Sequence, residues 1–339
     1  MIPSIKILIV THKPSIFPKH EAFVPIHAGR SIALKNSKDG KLGKKSLKWL
    51  IKNTIGDNSG DNISEKNRFY SELSAVYWAW KNYDKLGNPD YIGLMHYRRY
   101  FMFNFEENQK KQWDLREKAY ANKYINSLET HLKENTQQID DILEILKKYD
   151  GIITHQSDLS LLGIQSVYED YKKNISGVQI KDFDLLINHI ESNYPQYKEH
   201  AQNLKKKHHK HMYQMFILPK EEFFNYAKFL FEILFKLEKK IDLDTYTQNG
   251  KRTLGYLGEN IYDIYFSYQK DVLNKKYQEL PVYFFKSEDK KNTHFLNLLF
   301  HKISYKLSFG RQRKNKKEYY YSLKNLKREK KLEQKNGFK

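Results

Sequence analysis

The hydrophobic positions of this chain change period several times, and each change marks an element. The first apolar run, Ile5 and Ile7 to Val10, is too short for a helix and reads as a buried strand over 5–10, ending at Thr11-His12-Lys13. Residues 36–66 are rich in Asn, Gly, Ser, Asp and Lys and predict a polar loop. Phe69, Leu73, Val76, Tyr77 and Trp80 then recur at helical spacing, with Ser64 placed to cap the helix. A Gly-Asn-Pro turn at 87–89 closes that unit, and a second apolar strand, Tyr91 to Met95, runs into His96-Tyr97-Arg98-Arg99-Tyr100-Phe101.

Residues 105–149 read as mostly helical, and Asp150-Gly151 turns into a short strand, Ile152 to Thr154. Asp182 is placed to cap the helix DFDLLINHIESNY, and Met215 to Leu218 predicts a strand. A strongly periodic helix fills KEEFFNYAKFLFEILFKLEKKI, another runs from about Leu257 to Tyr268, and a last strand is expected at Leu280 to Phe285. Strands alternating with helices predict an α/β fold with a mainly parallel sheet. No linker-like composition interrupts the first 300 residues, so one domain over 1–300 is expected, followed by a tail over 301–339 that is partly helical or disordered.

Charge changes this picture at one end. The chain has 339 residues and a net charge of +20, and residues 301–339 alone carry +11, interleaved with Tyr319, Tyr320, Tyr321, Leu323 and Leu326. Such a tail suits an anionic membrane surface or the phosphates of a nucleic acid, or stays solvated. The absence of cysteine removes disulfides, thiolate metal sites and cysteine nucleophiles. The N-terminal apolar run is too short for a signal peptide. The stretch Phe223 to Phe235, broken by Asn225 and Lys228, is too short to span a bilayer. A cytoplasmic protein, peripheral on the inner face of the membrane, is expected.

In open α/β sheets, ligands bind beyond the carboxyl ends of the strands. Two such ends carry polar clusters: Thr11-His12-Lys13 and His96-Tyr97-Arg98-Arg99. The expected helix start near Ser64, Lys66 and Asn67 adds free backbone N–H groups. Arginines, a lysine and a helix N-terminus on one sheet edge suit an anionic ligand such as a nucleotide diphosphate. The bland alternative pairs the arginines with Glu65 and Glu72 and buries the histidine. No P-loop, dinucleotide-binding glycine motif or nucleophile elbow is present.

The blocks VTHKP, GDNISEKNRFYSELSAVYWAWKN, DYIGLMHYRRYF, MFILPKEEFFNYAKFLFEIL and RTLGYLGENIYDIY, in this order over roughly residues 5 to 285, resemble a bacterial capsular and exopolysaccharide glycosyltransferase family known only as a domain of unknown function. HYRRYF after the Trp-rich helix is the most specific block. The resemblance implies a GT-A-like nucleotide-sugar-binding fold and transfer of a sugar, UDP-linked, onto a lipid-linked glycan in capsule, exopolysaccharide or O-antigen synthesis. It also implies a polyprenyl-linked acceptor. Some members transfer galactofuranose, and nothing in the sequence selects that sugar. GT-A folds usually place Asp-x-Asp after a central strand to hold Mn²⁺ or Mg²⁺. Here that position reads His96-Tyr97-Arg98, so the expectation leans to metal-independent binding. Arg98 or Arg99 would neutralise the leaving diphosphate, with His96 assisting by a hydrogen bond.

An inverting transfer also needs a general base, for which Glu259 in GYLGEN, at an expected loop-to-helix junction, is the first candidate. Its alternative role is to cap the first helical turn; Asp61 and Glu72 are weaker candidates. Asp182-Phe183-Asp184 reads as a helix cap, and Asp242-Leu243-Asp244 as a solvated turn or, alternatively, a ligand or acceptor contact. The stretch His208-His209-Lys210-His211, after three lysines, reads as a solvated basic loop. Tyr77 and Trp80 read as core, which leaves Trp78 as the freer ring. The competing function is a non-catalytic, basic nucleic-acid-binding protein, disfavoured because the charge is heaviest in the tail while the polar clusters sit at strand ends.

Overall fold

The structure, a computed structural model, describes residues 3–35, 42–125, 127–134 and 138–285. The basic tail, and the boundary expected at residue 300, lie outside these. The central sheet has ten strands, with seven in the order β11-β7-β10-β4-β1-β2-β3. These are β1 (Ile5–Thr11), β2 (Phe23–His27), β3 (Ile55–Gly56), β4 (Tyr91–His96), β7 (Gly151–Thr154), β10 (Phe216–Pro219) and β11 (Tyr277–Leu280). Within this path β10 alone runs against its neighbours β4 and β7, so the sheet is mainly parallel, as the alternation of elements predicts. Beyond β4 the sheet continues through β5 (Arg99–Phe101) to β12 (Val282–Phe285), which also pairs with β6 (Asn122–Ile125).

Two cores lie on the sheet. The larger holds Leu8, Ile92 and Leu94 against the helices Leu73–Lys81, Ile180–Asn193, Lys220–Glu238 and Thr253–Asp271; the other holds Ile7, Ile9, Met95, Tyr100 and Ile217. Strands buried on both faces explain the unbroken apolar runs in β1 and β4.

Several elements depart from the sequence expectation. The polar stretch contains a helix, Lys44–Asn53, and the short strand β3. Tertiary bonds stitch this region down: the buried Arg30 guanidinium donates to Leu50 O and Thr54 O, both at 3.1 Å. Strand β6 interrupts the region read as helical, and Pro281 splits the last strand into β11 and β12. Asp182 lies inside the helix Ile180–Asn193 rather than capping it. Its carboxylate accepts from the Tyr246 and Thr253 hydroxyls at 2.8 Å and so pins the start of the helix Thr253–Asp271. The other Asp pair is a local cap: Asp242 accepts from Asp244 N at 3.3 Å. Trp78 is buried, with its indole donating to Ser59 O, while Trp80 is the half-buried ring, stacked on Phe231.

The single helix expected after Ser64 is broken. A 3-10 turn (Ser64–Lys66) and one turn of helix (Asn67–Tyr70) precede Ser71, whose φ of 53° is strained for a residue with a side chain, and the main helix starts at Leu73. The cause is Asp57. This fully buried carboxylate accepts from Gly29 N (2.8 Å), Arg30 N (3.0 Å) and the hydroxyls of Ser64 (2.5 Å) and Ser74 (2.6 Å). The Asn67 amide donates to Ser71 O and Ser74 Oγ, at 2.6 and 2.8 Å. Gly29, at φ +75°, is required here because a Cβ would meet Asn67 Oδ1 at 2.6 Å. Replacing Asp57 by Ala strands four buried donors, and the expected cost is about 3 kcal/mol of stability. Urea unfolding would measure it; a change under about 0.5 kcal/mol contradicts this account.

Candidate active site

The two polar clusters lie side by side. Val10 pairs with His96, and Tyr97 N donates to Val10 O at 3.0 Å, so the carboxyl ends of β1 and β4 form one edge. Antiparallel β10 brings its N-terminal side to the same edge, and with it Tyr213 and Gln214. Both have left-handed backbones, at φ 71° and 50°. Two consecutive residues in this conformation are strained, and strain of this kind concentrates at functional sites.

Tyr213 is the junction of the site. Its carbonyl is 2.8 Å from His96 Nε2, its N–H donates to Glu259 Oε1 at 3.3 Å, and its hydroxyl accepts from Asn122 Nδ2 at 2.7 Å. Its ring lies 4.7 Å from the Arg99 guanidinium, which is 4.8 Å from Phe284. Arg98 lies over Tyr97 and Phe284, at 5.1 and 5.7 Å. Both arginines are half-buried, each has a buried Nε without a hydrogen-bond partner, and neither forms an ion pair among the described residues. Glu65 instead pairs with Lys35, and Glu72 accepts from Gln214. Two half-buried guanidiniums on aromatic faces, without an ion pair among the described residues, have the chemistry to take an anion.

A third arginine joins them. His12 is open to solvent yet crowded in this edge. Desolvation, followed by the charges of Lys13, Arg98 and Arg252, lowers its pKa to about 4. Arg252 donates from Nε to Ser71 Oγ at 3.1 Å and lies over the Tyr256 ring. Gly255 permits this approach, since a Cβ there would sit 3.1 Å from Ser71 Oγ. Sequence reasoning missed Arg252; its only signal was its place in the block RTLGYLGEN. Burial and then the Arg99 charge push His96 down to about 3, so it is a neutral imidazole at this edge.

Other expected site residues are occupied elsewhere. The Thr11 hydroxyl donates to Lys13 O at 2.5 Å and shapes the turn. Ser64 and Asn67 serve the Asp57 network, and Lys66 pairs with Glu238 at 2.8 Å. The expected helix N-terminus with free N–H groups is thus a braced 3-10 turn, in which Ser64 N donates to Asn62 Oδ1 and Lys66 N to Ile63 O. Glu259 is not at a junction: the helix starts at Thr253, and Glu259 lies in its second turn, with Lys210 Nζ 3.4 Å from Oε2. Asp61 accepts from the Tyr77 hydroxyl. The histidine stretch is no solvated loop. His209–His211 forms β9, paired with β8 (Gln156–Asp158), and His211 is fully buried between Asp263 and Glu279.

The depressed histidines carry a stability prediction. Burial, then the Arg30 charge, holds the fully buried His27 at about 4. Between the ordinary pKa of about 6.5 and these lowered values, the unfolded chain binds protons that folded His27 and His96 refuse. Stability is therefore full above about pH 6.5 and falls as the pH drops toward 4, by on the order of 3 kcal/mol per histidine. Melting temperatures at pH 7.5 and 4.5 test this, and equal values would contradict it.

The DUF4422 family, a domain of unknown function, matches residues 6–271. No curated protein matches the chain. Among solved structures it is similar to the WbbM bifunctional glycosyltransferase in its apo form, at 27% identity and a TM-score of 0.70. The likeness covers 84% of this chain and 46% of that one, so the chain spans under half the length of that protein. Its α/β fold with a mainly parallel sheet is thus that of a glycosyltransferase structure, in line with the GT-A-like expectation. With most of its length matched, including the HYRR edge and the helix that carries Glu259, the chain belongs to the DUF4422 family.

Proposed function

We propose that this chain is a glycosyltransferase that takes a sugar from a nucleotide-sugar donor, UDP-linked, and moves it to a polyprenyl-linked glycan acceptor in surface-polysaccharide synthesis. The supporting observation is the pair Arg98 and Arg99, half-buried and without counter-charge at the carboxyl edge of β4, beside Lys13 and Arg252. On this reading Arg98 and Arg252 take the diphosphate. Arg99 and the His96 imidazole, fixed by Tyr213 O, shape the floor beneath the departing oxygen. Glu259 accepts the proton of the acceptor hydroxyl as that oxygen attacks the anomeric carbon, and the bond from that carbon to the diphosphate breaks. The arginines supply the positive charge that a cation would otherwise bring, so donor binding needs no divalent metal.

A lipid-linked acceptor places the reaction at the inner membrane face, with the basic tail held to anionic lipid. Among the described residues no helix is long and apolar enough to cross a membrane. The test is calorimetry of UDP, GDP and CMP, with Mn²⁺ and with EDTA. UDP binding of equal strength in both supports the proposal. Binding only with Mn²⁺ overturns the arginine account, and no nucleotide binding at all overturns the donor-site reading.

A further inference from the structure

The histidines ahead of Tyr213 make a second cluster, remote in role from the arginine edge. Asp158 lies opposite His209 across the β8–β9 ladder. Asp158 Oδ1 is 3.8 Å from His208 Nε2, and Oδ2 is 3.7 Å from His209 Nε2. One ligating atom from each residue falls within 4.8 Å of the other two. The adjoining lysines would repel a cation if they faced it, but most are drawn off. Lys205 pairs with Asp184 (2.9 Å), Lys207 with Asp263 (2.6 Å) and Lys210 with Glu259 (3.4 Å), which leaves the exposed Lys206. Asp158 is itself oriented, since Oδ1 accepts from Ser160 N and Ser160 Oγ at 3.0 and 2.5 Å. A ligand carboxylate held by outer hydrogen bonds is the usual support of a metal site.

We propose that Asp158, His208 and His209 bind one divalent transition-metal ion of the zinc class. Two imidazoles and a carboxylate suit zinc, cobalt or nickel, whereas magnesium and calcium prefer oxygen alone. Zinc bonds of about 2.0–2.2 Å put tetrahedral ligands about 3.3 Å apart, so the carboxylate–imidazole separations of 3.8 and 3.7 Å close by a few tenths of an ångström, the ligand atoms, now within 4.8 Å of one another, draw together by rotation of the exposed His209 ring, and water completes the shell. The site is structural. β9 leads through Met212 into the strained Tyr213–Gln214 turn, so an ion that clamps β8 to β9 braces the segment carrying Tyr213. This inference goes beyond the transferase reading and stands without it.

The experiment is calorimetric titration of Zn²⁺ into the full-length, EDTA-dialysed protein, with Mg²⁺ as a control. The absence of cysteine keeps thiolates out of the result. The expected outcome is one-to-one micromolar binding and a higher melting temperature with Zn²⁺ alone. Affinity should weaken by roughly tenfold or more in His209→Ala and in Asp158→Asn. His209 is exposed, so its removal leaves the fold intact and tests the site even if Asp158→Asn does not fold. Zinc affinity no better than millimolar, or unchanged in His209→Ala, overturns the proposal. Zinc-loaded protein that binds zinc as expected but binds no UDP would instead speak against the donor site and leave the metal site standing.

Discussion

Arg98→Ala is expected to weaken UDP binding by about 10²-fold and lower kcat/KM for transfer by about 10²–10³-fold, while leaving the melting temperature unchanged. The separation of the two readouts follows from the geometry. The Arg98 side chain makes no hydrogen bond or ion pair with the described residues and lies over the faces of Tyr97 and Phe284. Its removal therefore breaks no polar bond among the described residues. In the complex, it would remove a forked, charge-assisted contact to a diphosphate whose charge rises as the sugar leaves. Arg98→Lys should recover only part of the loss, because an ammonium restores the charge without the planar fork. Titration of UDP with each variant decides it, and affinity within twofold of wild type in Arg98→Ala would remove this arginine from the donor site.

The second large effect is expected at Glu259. Glu259→Gln should lower kcat by about 10²–10⁴-fold with UDP affinity unchanged. The amide keeps an oxygen to accept from Tyr213 N, so the turn stays in place, but it cannot take a proton from an acceptor hydroxyl. Single-turnover transfer to a synthetic lipid-linked acceptor separates this from a loss of binding. A kcat within a few-fold of wild type would make Glu259 a strut between its helix and the Tyr213 turn, and would point to transfer with retention, which needs no such base.

Much of this was legible in the sequence because strands buried on both faces write themselves as apolar runs, and polar residues just beyond them stand out. His96, Arg98 and His12 stand out as candidates that way, and the fold brings their two clusters to one edge. Asp57 was not, since a carboxylate in GDNSGDN looks like loop solvent contact until Gly29, Ser64 and Ser74 converge on it from separate segments. The same convergence broke the expected helix at Ser71 and turned Ser64 and Asn67 inward. Arg252 escaped notice because it sits well over a hundred residues from the strand ends, and only the fold brings its charge near His12 and its Nε onto Ser71. His211 looked solvated among lysines, and only the fold supplies Asp263 and Glu279 as its partners.

Tyr213 holds four groups of this site by four different parts of itself: carbonyl, amide, hydroxyl and ring. A residue used in this way behaves as a keystone. The imidazole, the carboxylate and the arginine bed cannot be retuned one at a time by shifting the backbone, because any movement of that peptide displaces all of them. Change in such a site is confined to side-chain replacement around a fixed frame, and a mutation that relaxes the turn is felt at His96, Arg99 and Glu259 at once.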